Sequence, residues 1–183
     1  MYGSYNCYAS YDFNPATGAT LWENPPMDPG CSGAGTAVLF EGVLYARAYG
    51  KAIGRALDAA TGVKIGDVYS TRTPAFHGGH GFFVVEGVLT ARAVPALVDT
   101  WSFTAPSKLS MAPLVVNNHV YVASAGGLLY ALSELTGAVV WSTDVGEKLP
   151  PEENDSLSKP LPGLGVGGGA LIVPANHHLL AYW

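Results

Sequence analysis

The amino-acid sequence predicts an all-β chain made of repeated four-stranded antiparallel meanders, and three observations carry that prediction. Short apolar runs alternate with turn residues: the 183 residues include 23 Gly and 13 Pro, spread so that they punctuate strands rather than break helices. A motif recurs, in which Thr17-Gly18 is followed by three residues and Trp22, and Thr136-Gly137 by three residues and Trp141. Weaker copies lie between them, at Thr61-Gly62 with Gly66 in the Trp position, and at Ala96-Leu97 leading to Trp101. Anchored at Thr17, Thr61, Ala96 and Thr136, the copies are 44, 35 and 40 residues apart. Periods near 40 with strand-like content are those of β-propeller blades.

The clearest copy shows the internal order. Residues 112–116 are a short apolar run ending at the turn Asn117-Asn118. Residues 119–123 (His-Val-Tyr-Val-Ala) make a second strand, Gly126-Gly127 a turn, and residues 128–132 a third strand. Thr136-Gly137 then turns the chain into residues 138–143, the fourth strand, which carries Trp141. Tight Gly and Asn turns between short β-rich runs make an antiparallel meander. The same order is read over 36–40, 43–48, 52–57 and 63–69, and again over 73–76, 82–85, 88–93 and 98–103.

The chain opens with a third and fourth strand, around 8–13 and 19–22, and closes with a first, second and third strand, the last over 178–182. That is three full blades and parts of two more, read as one domain over 1–183 that forms part of a ring. Unpaired blade edges invite association, so the expected partners are the remaining blades of a propeller or a second copy in a homo-oligomer.

The physics of the motif is local. Glycine accepts positive φ without steric cost, which suits the Thr-Gly turn. Trp22, Trp101 and Trp141 are expected to pack between neighbouring blades, each burying up to ~250 Å². A blade cannot cover both of its apolar faces alone, so blades stack.

Residues 112–124, 126–132 and 136–141 together resemble the pyrroloquinoline-quinone-type, or quinoprotein-like, propeller repeat. That family includes quinoprotein alcohol dehydrogenases and the non-enzymatic lipoprotein of the outer-membrane β-barrel assembly machine. The resemblance covers nearly the whole chain, is closest over 110–145 and is degenerate over 50–105. It implies a ring of seven or eight blades, of which this chain resembles the C-terminal portion. In the dehydrogenases it implies adjacent cysteines in a small disulfide ring, Ca²⁺ held by Glu and Asn, an Asp base and a Trp floor. Here the cysteines are not adjacent, and no acidic residue sits in a recognisable site motif.

Composition narrows the function. The formal charge is −5, and no Lys/Arg cluster occurs, so neither a nucleic-acid groove nor a polybasic membrane patch is expected. No apolar run approaches a membrane-spanning length. The N-terminal residues do not have the order of a signal peptide, so the chain lacks one, has lost one, or starts inside a larger protein. Cys7 and Cys31 either form a disulfide, worth roughly 3 kcal/mol and implying an oxidising compartment, or remain free thiols.

Other candidates weigh less. His77-Gly78-Gly79-His80-Gly81 places two imidazoles close together, but zinc needs a third ligand, and His119, His177 and His178 fall in or beside other turns. That stretch reads as a polar glycine-rich loop. The glycine-rich run at 163–169 lacks the Lys-Ser/Thr of a phosphate loop and leads into a strand, so it reads as a close-packed inner strand or a turn. Residues 147–162 interrupt the repeat as a long inter-blade loop, a candidate for partner contact; its Glu152, Glu153 and Asp155 match no calcium-loop spacing.

The function expected from all this is a non-catalytic, extracellular or periplasmic scaffold that binds a protein, glycan or small ligand and uses no cofactor. The alternative is part of a quinone-dependent dehydrogenase, with pyrroloquinoline quinone and calcium.

Overall fold

The computed structural model describes residues 1–5, 9–25, 36–47, 53–149 and 163–183. Their regular structure is entirely β, in five antiparallel meander sheets. The chain divides into two compact units, Met1–Thr73 and Pro74–Trp183.

Unit 1 holds two sheets. The first has three strands, β1 (Tyr2–Tyr5), β2 (Ala9–Phe13) and β3 (Thr20–Asn24). The second has four, β4 (Val38–Phe40), β5 (Val43–Arg47), β6 (Ile53–Asp58) and β7 (Lys64–Tyr69). Unit 2 holds three sheets. These are β8 (Ala75–His77) to β11 (Val98–Thr104) by way of β9 (His80–Val85) and β10 (Val88–Ala93); β12 (Leu114–Val116), β13 (His119–Ala123), β14 (Leu128–Ser133) and β15 (Val139–Asp144); and β16 (Gly165–Gly167), β17 (Ala170–Pro174) and β18 (Leu179–Tyr182).

Three corrections to the sequence reading follow. The chain opens with three strands, not two, because Tyr2–Tyr5 pairs with β2. Gly3 in that strand sits opposite Tyr11, whose ring lies where a Cβ on Gly3 would be. The ring thus covers backbone that glycine leaves bare, and no apolar alternation announces the strand. The stretch at 77–81 is a hairpin, not a loop: His77 ends β8, His80 begins β9, and the two are cross-strand partners. Gly78 and Gly79 between them have φ of 53° and 79°, a turn of the primed type that matches strand twist. The turns Glu41-Gly42, Asn117-Asn118 and Gly168-Gly169 also have positive φ at both residues, so the first hairpin is built alike in four sheets. The run at 163–169 forms a strand over Gly165–Gly167 and a turn at Gly168-Gly169, but it is not close-packed: among the described residues nothing lies within 4 Å of a Cβ built on Gly163, Gly167, Gly168 or Gly169. Gly168 and Gly169 serve the turn's dihedrals.

The Thr-Gly motif is one repeated device. Gly18, Gly62 and Gly137 have φ of 73°, 72° and 70°. Their N–H groups donate to Asn14, Asp58 and Ser133 carbonyls at 2.8, 2.8 and 2.9 Å. Each threonine hydroxyl accepts the N–H two residues on, at 3.3 to 3.4 Å. The turn at residues 94–97 differs: it has no Thr-Gly, and Leu97 takes φ 56° at the glycine position.

Opposite each of these turns the fourth strand carries one extra residue. Register shifts between Asp12 and Phe13, Ala56 and Leu57, Ala91 and Arg92, and Ala131 and Leu132. The unpaired residues are Leu21, Ile65, Thr100 and Val140, each just before the Trp position. A bulge bends the strand and re-aims the following side chain.

In unit 2 the core forms between sheets. Phe82, Val84 and Leu89 pack with Val120, Val122 and Leu132, all fully buried. The other face of the sheet β12–β15 contributes Ala123 and Leu129, which pack with Met111, Leu149, Leu171 and Val173. Strands buried on both faces explain why β14 reads as an unbroken apolar run. Leu149 shows that the start of the 147–162 stretch belongs to the core; residues 150–162 lie outside the described residues.

Candidate functional site

The indoles of the motif do not all have the same surroundings. Trp22 Nε1 donates to the Ala59 carbonyl of the next sheet at 3.0 Å, and its ring lies 2.4 Å from where a Cβ on Gly62 would be. Trp101 repeats this contact: Nε1 donates to the Glu134 carbonyl at 3.0 Å, and the ring lies 2.5 Å from a Cβ built on Gly137. The glycine of each covered turn therefore answers two needs, a positive φ and room for an indole. Ala59 and Gly62 are buried under their indole. Asn24 adds a hydrogen bond from Nδ2 to the Gly62 carbonyl at 2.9 Å.

Trp141 stands at the same position in its sheet, opposite Ala131 as Trp101 stands opposite Ala91. Its side is open. The residue is 39% exposed, and its Nε1 has no hydrogen-bond partner among the described residues. The ring meets Tyr182 edge-on at 5.6 Å between centroids. Around it lies a groove of about 420 Å³ lined by Val116, Asn117, Tyr121, Trp141, Tyr182 and Trp183, among others. Aromatic rings with a few polar atoms are the usual lining of a site that takes a ligand or a chain segment.

The charged residues that sequence reasoning left aside are used between sheets. The Glu134 carboxylate is 6% exposed and holds His77 Nδ1 at 2.8 and 3.0 Å. Glu147 accepts from the ring of His178 and from the His177 N–H at 3.0 Å. The His178 ring first, then that N–H, hold the Glu147 carboxyl below its usual range. Asp58 is held low by the Thr61 hydroxyl and N–H and the Ala60 N–H. His119 Nδ1 bonds the Asn117 carbonyl at 2.7 Å. Among the described residues, no three of His, Cys, Asp and Glu come together in a group able to hold a metal ion. His77 and His80 are neighbours without a third ligand, and His119, His177 and His178 are engaged in other turns.

A quinone–calcium centre would need an acidic and amide donor set free to take a cation. The carboxylates of Glu134, Glu147, Asp58 and Asp99 are instead committed to His77, His178, Thr61 and Arg92. These four carboxylates are therefore not free to take a cation. Cys7 and Cys31, and Glu152, Glu153 and Asp155, lie outside the described residues. Glu134 and Glu147 carried no sequence signal, because their partners are 57 and 31 residues away.

Meander sheets with a Thr-Gly turn and an indole bridging to the next turn define a β-propeller of the pyrroloquinoline-quinone-type repeat. Residues 50–175 match the family described as outer membrane protein assembly factor BamB, and the chain belongs to that family. A polyvinylalcohol dehydrogenase from a Pseudomonas species is 39% identical over 56 residues, which are 31% of this chain and 9% of that protein. The crystal structure of BamB from Moraxella catarrhalis superposes with a TM-score of 0.73 at 16% identity, over 97% of this chain and 54% of that one. Quinohemoprotein alcohol dehydrogenase from Comamonas testosteroni superposes with a TM-score of 0.66 at 16% identity, over 94% of this chain and 38% of that one. The chain thus spans about half the length of the BamB structure it matches. Likeness at this identity establishes the fold. Among the described residues, no helix is long and apolar enough to cross a membrane.

Proposed function

We propose that this chain is a propeller scaffold that binds a protein partner and catalyses no reaction, and that it works in the periplasm or outside the cell. The observation that carries this reading is the use made of the acid and histidine side chains. Glu134 with His77 and Glu147 with His178 join neighbouring sheets, and among the described residues the aromatic groove at Trp141 offers a surface equipped to bind. The match to an outer-membrane assembly factor over residues 50–175 supports a protein as the ligand. The likeness to a polyvinylalcohol dehydrogenase over 56 residues favours the second reading, part of a quinone-dependent dehydrogenase.

One experiment separates them. The purified chain is mixed with pyrroloquinoline quinone and Ca²⁺, and then with alcohols and a dye acceptor. The scaffold reading expects the spectrum of the free quinone and no dye reduction. A shifted quinone spectrum together with turnover would overturn it.

A further inference from the structure

The turn that Trp101 covers carries a group that the other covered turn lacks. The Trp22 indole donates to the carbonyl of Ala59, and the Trp101 indole to that of Glu134, both at 3.0 Å. Alanine thus suffices for the motif, and the acid at 134 is an addition to it. Burying that acid is unfavourable by itself. Its side chain is 6% exposed, and a carboxylate taken out of water must be compensated by a cation and hydrogen bonds.

The compensation comes from one residue. Both carboxylate oxygens meet Nδ1 of His77, at 2.8 and 3.0 Å. The pair joins the first hairpin of the sheet β8–β11 to the last turn of the sheet β12–β15. The Glu134 backbone is held too: its N–H donates to the Asn118 carbonyl at 3.0 Å, and its carbonyl accepts from Trp101.

The neighbouring titratable groups are otherwise engaged. His80, across the hairpin from His77, lies against Phe82, and its Nδ1 is buried with no hydrogen-bond partner among the described residues. On β13, His119 Nδ1 bonds the Asn117 carbonyl. On β10 and β11, Arg92 and Asp99 bond each other, with Arg92 over the ring of Phe83. The strand β12, which packs along β8, has no titratable side chain. Among the described residues, His77 is the one group in ion-pair reach of Glu134.

We propose that His77 and Glu134 form a proton-controlled clamp between these two sheets. An imidazole takes up its charge as pH falls through the neutral range. With His77 protonated, the contact is a charge-assisted hydrogen bond and the buried carboxylate is balanced. With His77 neutral, the carboxylate keeps at most one N–H bond from the ring and has no countercharge. The cation stabilises the folded state only while it holds its proton, so the clamp is tightest in mild acid and weakens as pH rises. It stands apart from the groove at Trp141 and from the choice between scaffold and dehydrogenase.

The test is a double-mutant cycle on the full chain, with His77→Gln, Glu134→Gln and both together, by urea unfolding at about pH 6 and about pH 8. The cycle cancels the titration of other groups, the Glu147–His178 pair included. The coupling is expected to be about fivefold larger in the unfolding equilibrium constant at the lower pH, a size set by an imidazole that is 56% exposed. Equal coupling at both pH values overturns the proposal, and so does coupling that grows with pH. Glu134→Ala copies Ala59 into this turn, so it should fold and should lose this share of the pH response. A response left unchanged in that variant belongs to His80 or another group, and also overturns the proposal. Hydrogen exchange on the wild type needs no variant. The Glu134 and Gly137 amides, bonded to the Asn118 and Ser133 carbonyls, should lose more protection over this pH rise than the Gly62 amide, whose turn has no buried acid. Protection that changes alike at Gly62 and Gly137, after correction for intrinsic exchange rates, overturns the clamp.

Discussion

Glycine is asked for different things at positions that look alike in the sequence. Gly18, Gly62 and Gly137 share a positive φ, which costs a residue with a Cβ about 1 kcal/mol or somewhat more. Only Gly62 and Gly137 also lie under an indole. Gly62→Ala or Gly137→Ala must therefore meet both backbone strain and overpacking. Each is expected to cost about 2–4 kcal/mol in urea unfolding, against about 1 kcal/mol for Gly18→Ala in the monomer. Equal losses at the three positions would show that the ring contact adds nothing to the backbone requirement.

Strands and turns matter here through how they aim a side chain. The extra residue before each Trp position bends the fourth strand, and in the sheets of Trp22 and Trp101 the next side chain reaches the neighbouring sheet. Thr100 Oγ1 donates to the Ala91 carbonyl at 3.1 Å within this bulge. Trp101→Ala removes both the packing on Gly137 and the hydrogen bond to Glu134, and should cost about 3 kcal/mol in thermal or urea unfolding. Trp101→Phe keeps most of the packing and leaves a carbonyl short of its donor, so about 1 kcal/mol is expected. Trp141→Ala, at an open position, should cost the monomer well under either value. A large loss there would mean that the groove is structural.

At the scale of the folded units, sheets are joined by apolar cores and by acid–histidine bridges. In unit 2, Glu147 links the end of β15 to the turn between β17 and β18. Its carboxyl is held low in the folded chain by the His178 ring and the His177 N–H. A carboxyl with a depressed folded-state pKa binds protons more readily when unfolded. Its contribution to stability is present above the ordinary Glu range and is lost as pH falls through the folded-state value. Thermal unfolding of Glu147→Gln should therefore fall below wild type near neutral pH, and the two curves should converge in acid. A gap that persists unchanged into acid would show that the bridge is not the cause.

The repeat was legible because its signals are short-range. Turn glycines, the alternation of strands and the spacing of Thr-Gly to Trp are written within a few residues of one another. The strand Tyr2–Tyr5 escaped because Gly3 and Ser4 break any apolar pattern, and the ring that covers Gly3 belongs to Tyr11 on the neighbouring strand. The hairpin at His77 and His80 escaped because two glycines and two polar rings look the same in a loop as in a primed turn. The groove was out of reach for a different reason. Trp22 and Trp141 follow the same Thr-Gly turn, yet one indole is covered and the other open, and nothing near them in the chain distinguishes the two.

By itself the sequence determined the all-β class, the blade period and the Thr-Gly turns, since dihedral preference and side-chain alternation act between near neighbours. Only the tertiary structure decided which indole lies on which glycine, which carboxylates bind histidines and which rings line a groove. Those pairings join residues tens of positions apart, and the sequence carries no record of a contact until packing brings its two halves together.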